Sequence, residues 1–242
     1  MTLVVSTASA RGISVVTDRA VSRRTGTALE LYSAQKGWYS AKANIALAFW
    51  GNATLPDGQA LERWAERFVN DVTEHDTPAS VAGRLASELN PMLERLTAHW
   101  SKMRRGVHVS GYEGDLPVIF HVHTGDPRGF HHALEVHRDF PDVHVGSAET
   151  YRAHLAGGGF VQLRNGQHEL FATVAQLSTE LQSELSTILR TPVPAQTLRG
   201  QALFDEALVR FAAGILKSAD QHQVVSDLVD IITFTADGKT PT

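Results

Sequence analysis

The chain opens with two short β-rich runs, Thr2-Leu3-Val4-Val5-Ser6 and Gly12-Ile13-Ser14-Val15-Val16-Thr17, separated by a turn at Ala10-Arg11-Gly12. That spacing predicts an antiparallel hairpin, and it constrains everything downstream by setting the chain start at a strand end. Met1 precedes Thr2, and an initiator methionine is normally trimmed before so small a side chain. The expected mature chain begins with a threonine that carries both a hydroxyl and a free α-amino group. Such an amine, with an ordinary pKa of about 7.7–8.0, is a proton acceptor near neutrality once a nearby cation lowers it. It can then take the hydroxyl proton without a histidine. Thr2 is the candidate nucleophile and its own base.

Asp18 ends the second run. A strand-end carboxylate beside the chain start can hold a lysine, and Lys36 is the leading candidate. The ammonium of such a pair disfavours protonation of the neighbouring amine by like-charge repulsion. The run Ala43-Asn44-Ile45-Ala46-Leu47-Ala48-Phe49-Trp50 predicts a buried strand stopped by Gly51, whose backbone N–H is available to a developing oxyanion. Taken singly, these residues read as a strand start, a turn aspartate, a surface lysine and a strand-ending glycine. Their order along the chain carries the catalytic reading.

After Gly51, the apolar residues Leu61, Trp64, Ala65, Phe68, Val69 and Val72 recur at helical spacing. Thr77-Pro78 then starts a second helix, with the threonine as N-cap and proline at the first helical position. Its stripe runs from Val81 to Trp100, with Pro91 as a kink point. Segments 107–109, 117–123 and 129–136 are β-leaning and divided by turns, predicting a meander. Ser147 to Leu155 reads as a short helix ended by Gly157-Gly158-Gly159, and Asn165-Gly166 as a turn. Leucines from Leu170 to Leu189 mark a long helix, a further helix runs through Leu203 to Leu216, and Val229 to Phe234 forms a closing strand. Strands grouped with strands and helices with helices predict an α+β fold.

Seven histidines crowd residues 108–144, and His121 and His123 alternate onto one strand face. That spacing suits a metal, but no His-Glu-x-x-His pattern accompanies it, so packing is the reading adopted and no metal or other cofactor is expected. The 242 residues, 43% of them hydrophobic, suffice for one domain with a sizeable core. A formal net charge of −4 leaves no basic footprint for nucleic acid. The absence of cysteine removes disulfide and thiolate chemistry. No leader and no apolar run of about 18 residues is evident, so a cytoplasmic protein without a membrane segment is expected.

The order Thr2 opening a strand, Thr17-Asp18 closing the next, Ser22, Lys36, the strand into Gly51 and then two helices resembles the proteasome-type N-terminal threonine hydrolases, here a bacterial proteasome β-subunit homologue. Val143-His144-Val145-Gly146-Ser147 is similar to that family's turn before its third helix. The resemblance implies a four-layer α/β/β/α sandwich of two stacked antiparallel sheets flanked by helices, over a single domain 1–242 with a helical insertion within 157–200. It implies a peptidase in which Ser147 and Ser226 support the Thr2 amine, while Ala20, Ser22, Phe49 and Ala53 bind substrate in a mainly apolar pocket. The implied partners are further copies of the chain in stacked rings of six or seven, peptide or unfolded-protein substrate, and an ATP-driven unfoldase. The chain departs from the pattern at Ala20, Ala148 and Gln223, which favours the alternative of an inactive scaffold on the same fold. An amidase or ligase using the same threonine is a third reading.

Overall fold

The computed structural model describes residues 3–25, 28–51, 60–93, 105–123, 135–138, 147–166, 168–190, 197–218, 225–226 and 228–239. The first strands are β1 (Leu3–Ser9), β2 (Gly12–Asp18), β3 (Ala20–Thr25), β4 (Ala28–Ser33), β5 (Gly37–Ser40) and β6 (Ile45–Trp50). Helices α1 (Leu61–Asn70) and α2 (Pro78–Leu93) follow, then β7 (Gly106–Glu113), β8 (Leu116–His123) and β9 (Glu135–Arg138). The remainder comprises α3 (Ala148–Ala156), β10 (Phe160–Gly166), α4 (His168–Leu189), α5 (Leu198–Ser218), β11 (Val229–Thr235) and β12 (Gly238–Lys239).

The opening hairpin sets Val4 opposite Thr17 and Ser9 opposite Gly12. Gly12 is required at its turn: its φ is +137°, and a Cβ there would lie 2.6 Å from the Phe234 carbonyl oxygen and 2.7 Å from Leu198 Cδ2. One five-stranded sheet runs β10-β1-β2-β11-β12 and a second runs β5-β6-β7-β8-β9, while β3 and β4 form a separate ribbon. Every pairing is antiparallel. Helices α1 and α2 contact the second sheet, α5 lies on β2 and β11 of the first, and α4 contacts α5. The two sheets also touch directly, β1 against β6 and β8, and β2 and β11 against β5. The architecture is therefore α+β, with five helices among the described residues.

Alternate residues of β1 go to opposite sides. Val4 and Ala8 join Ile13, Val15, Leu47, Val109, Phe68 and Leu85 in one buried cluster, whereas Leu3 and Val5 join Val16, Val174, Leu208 and Val209 in another. This is the period-2 geometry of a strand covered on both faces, and it accounts for a run without an exposed polar alternation. The polar residues in it are paired. Ser6 Oγ lies 2.8 Å from His108 Nδ1, whose Nε2 lies 2.6 Å from Asn165 Oδ1. Thr7 donates to Asp205 Oδ2 at 3.0 Å, and Gln162 and Gln201 each reach Asp205 Oδ1 at 3.1 Å.

Local signals place the helices. Ser80 N–H donates to Thr77 Oγ1 at 3.1 Å and Thr77 N–H to Ser80 Oγ at 2.9 Å, a reciprocal cap ahead of α2. Ser147 caps α3 through Thr150 N–H at 3.2 Å. On α1 the buried residues are Trp64, Ala65, Phe68 and Val69. One stretch differs from the sequence reading. Residues 160–166, where sequence marks only a turn, form β10, the edge strand beside β1. Strands β3, β4 and β5, for which the sequence reading marks no element, are defined by their pairing partners. The expected extension of α2 to Trp100 lies outside the described residues beyond position 93.

Candidate active site

Asp18 is fully buried at the end of β2 and receives N–H donors on both carboxylate oxygens. Oδ1 accepts from Leu3 N–H at 2.7 Å and from Lys36 Nζ at 3.1 Å. Oδ2 accepts from Ala20 N–H at 2.9 Å and from Ser226 N–H at 3.2 Å. A carboxylate has acceptor capacity for such a set, and hydrogen bonds to it are of the stronger charge-assisted kind. The arrangement draws four segments together: the start of β1, the start of β3, the residue before β5 and the segment leading into β11.

Lys36 is 6% exposed, and its Nζ also donates to the Ala20 carbonyl. Burial pushes its pKa below the ordinary lysine value, opposed first by the Asp18 carboxylate and its hydrogen bond, then by Asp230. The backbone holds it on both sides: Phe49 N–H donates to Lys36 O at 2.9 Å, and Lys36 N–H donates to Asp230 Oδ2 at 3.5 Å. Asp230 pairs with Arg19 at 3.6 Å. Burial raises the Asp230 pKa, with Arg19 the main opposing influence. The sequence reading missed Asp230; the available signal was a charged residue inside the otherwise β-branched run Val229 to Thr233.

The sharing of Asp18 Oδ1 is the central geometric fact. The Leu3 nitrogen is bonded to the Thr2 carbonyl carbon, and the Lys36 ammonium lies within two hydrogen-bond lengths of that nitrogen. Thr2 itself lies outside the described residues, as do Ala53 and Gln223.

An open cleft adjoins Lys36. Val21, Tyr32 and Ala34 form one side, Phe49, Trp50 and Gly51 another, and Ala60, Leu61 and Glu62 a third. Gly51 has φ +97°, a left-handed conformation suited to glycine just past β6. Phe49 is buried, edge-on to Trp38 and Trp64 at centroid distances of 5.4 and 6.1 Å. Ala20 does not line this cleft; its peptide groups serve Asp18 and Lys36 instead. Ser22 lies in β3, and its side chain is outside the described set. The Ser147 hydroxyl is exposed and occupied with capping α3. Ser226 reaches Asp18 through its backbone N–H, while its hydroxyl accepts from Leu228 N–H at 2.9 Å.

The histidines on the second sheet have a different setting. His121 and His123 stack at 4.2 Å, and Trp50 Nε1 donates to His121 Nε2 at 3.2 Å, occupying that nitrogen's lone pair. Burial, with help from His121, holds His108 well below the ordinary histidine pKa. Among the described residues no group of three or more potential metal ligands converges.

Two antiparallel sheets in contact, with helices against each, define the α+β fold, and the buried Lys36–Asp18 pair lies beside the start of its first strand. Solved structures that share the fold include Anbu proteins. The helical assembly of the Anbu complex from Pseudomonas aeruginosa matches with TM-score 0.54 and 12% identity over 96% of this chain and 81% of that one. Anbu (ancestral beta-subunit) from Yersinia bercovieri matches with TM-score 0.52 and 11% identity over 98% and 82%. An Anbu (Gly-1) mutant from Hyphomicrobium sp. strain MC1 matches with TM-score 0.51 and 12% identity over 100% and 85%. No family model and no curated protein matches the chain. The expectation of a bacterial proteasome β-subunit homologue is thereby corrected: these matches are Anbu chains, and identity this low extends to the fold and not to family membership.

Proposed function

We propose that the chain is a self-associating N-terminal threonine peptidase, with Thr2 as nucleophile once the preceding methionine is removed. The observation that carries this is the single carboxylate oxygen shared by the Leu3 amide and the Lys36 ammonium. It supports a fixed positive charge beside the Thr2 amine, which lowers the amine's affinity for protons. Asp18 is the positioning residue for Lys36.

In the proposed reaction, the Thr2 oxygen attacks the substrate carbonyl carbon while its proton passes to the Thr2 nitrogen. The Gly51 N–H stabilises the oxyanion. Collapse breaks the carbon–nitrogen bond, the proton leaves with the departing amine, and a threonyl ester remains. Water, deprotonated by the same amine, attacks the ester and releases the acid, which regenerates the hydroxyl.

We read the sheet pair and its helices as a four-layer α/β/β/α sandwich, a reading supported by α5 against the first sheet and α1 and α2 against the second. Self-association is supported by the large apolar side chains exposed on the outer helices, Leu177 and Ile188 of α4 and Leu203 and Phe211 of α5, and by the helical assembly formed by the Anbu complex.

Incubation with a peptide epoxyketone, followed by intact-mass measurement, tests the chemistry. That reagent captures a hydroxyl and a free amine on one residue, so the expected product is a single adduct on a chain lacking Met1, abolished by Thr2→Ala. A retained Met1 with no adduct refutes the assignment.

A further inference from the structure

We infer that Glu62 makes the cleft beside Lys36 a subsite for a cationic side chain, lysine or arginine, on the acyl side of the bond to be cut. The inference deepens the peptidase reading and rests on it for the direction in which substrate lies. Sequence reasoning had pointed to an apolar pocket, and most of the lining is apolar: Val21, Ala34, Phe49 and Leu61. Such walls suit the methylene stem of a long basic side chain, which buries its carbons while its head seeks a polar partner.

Among the described residues, the charges around the cleft leave one carboxylate without a counter-ion. Asp18 is paired with Lys36, and Asp230 with Arg19. Glu62, in the first turn of α1, forms no ion pair among the described residues. Its Oε1 accepts from Gln35 N–H at 3.0 Å, which orients the group. Its Oε2 has no hydrogen-bond partner among the described residues. Of the other polar side chains of the wall, Gln35 is engaged with the Gly37 carbonyl at 2.6 Å, and the Lys36 ammonium is neutralised by Asp18 at 3.1 Å. The half-buried carboxylate, anchored through one oxygen, belongs to a residue that lines the cleft.

A charge-assisted hydrogen bond at such a site corresponds to about tenfold or more in selectivity. The test uses fluorogenic peptides that differ only in the residue before the leaving group: arginine, lysine, leucine or glutamate. The full chain should cleave the arginine and lysine peptides with kcat/KM about tenfold above leucine. In Glu62→Gln, which keeps the acceptor for Gln35, that ratio should collapse toward one; in Glu62→Lys the glutamate peptide should become the best of the four. An unchanged arginine-to-leucine ratio in Glu62→Gln overturns the inference.

A second measurement separates this failure from that of the peptidase reading. In a Thr2→Ala background, N-acetyl-arginine amide and N-acetyl-leucine amide are titrated and followed by NMR shifts of the tryptophan indoles. Preferential binding of the arginine amide, lost in Glu62→Gln, upholds the cationic subsite even if no peptide is cleaved. Equal binding of the two, or binding indifferent to Glu62→Gln, overturns it whatever the chain hydrolyses.

Discussion

Asp18→Asn preserves the size of the residue while removing the charge that answers a lysine only 6% exposed. Breaking a buried pair by deleting one partner costs about 3–5 kcal/mol, because the remaining charge stays desolvated. The amide adds a geometric conflict. Whichever way it is turned, its NH₂ faces two donors, either Leu3 N–H with Lys36 Nζ or Ala20 N–H with Ser226 N–H. Against a domain stability of about 5–15 kcal/mol, a loss of about 4 kcal/mol is expected, large enough to shift a urea midpoint clearly. Tryptophan fluorescence reports the transition, since Trp38 and Trp64 are buried in the core. The companion variant Asp18→Asn/Lys36→Met should recover about 2 kcal/mol of that loss, since it removes the stranded charge. Without Asp18, the Lys36 pKa falls further below its unfolded value, so the folded state releases a proton that the unfolded state keeps. Stability of Asp18→Asn should therefore rise as pH increases from 7 toward 10. A loss under about 1 kcal/mol, or a double variant no more stable than Asp18→Asn, would refute the account of the pair.

Three further outcomes are expected. Burial raises the pKa of Asp205 to about 6 despite its bonds from Thr7, Gln201, Gln162 and Ser14; the folded state binds the proton more tightly, so this residue stabilises the fold as pH falls from 7 through 6 toward 4. Its share, at most about 3 kcal/mol, is read as the difference in pH slope of urea stability between the parent chain and Asp205→Asn, and equal slopes would contradict it. Gly12→Ala forces a side chain into a positive-φ position 2.6 Å from the Phe234 carbonyl oxygen, and should cost about 2 kcal/mol or more by the same denaturation. Tyr151→Phe leaves the Pro117 carbonyl without the hydroxyl that donates to it at 3.1 Å, so a loss of about 1–3 kcal/mol is expected, and a neutral effect would show that water takes the hydroxyl's place.

What the amino-acid sequence settled was local. The hairpin of β1 and β2 followed from β-branched runs about a glycine turn, the helices from apolar spacing with Thr77, Pro78 and Ser147 at their starts, and the α+β class from the grouping of those elements. Asp18 and Lys36 could be singled out from their order along the chain, a strand-end carboxylate beside the chain start with a lysine following it. What only the tertiary structure decided depends on contacts between residues distant in the chain. Strand β10 exists by pairing with β1, more than 150 positions away in register, and no periodicity in Phe160 to Gly166 announces it. Asp230 reaches Lys36 only because β11 is inserted beside β2. Glu62 reads as an ordinary acidic residue in the first turn of a helix until α1 is docked beside β5, which brings its carboxylate to a cleft walled by three other segments. Hydrophobic periodicity encodes which face of an element turns inward; the neighbour that a side chain meets there, and hence its charge environment, is fixed only when the sheets and helices pack.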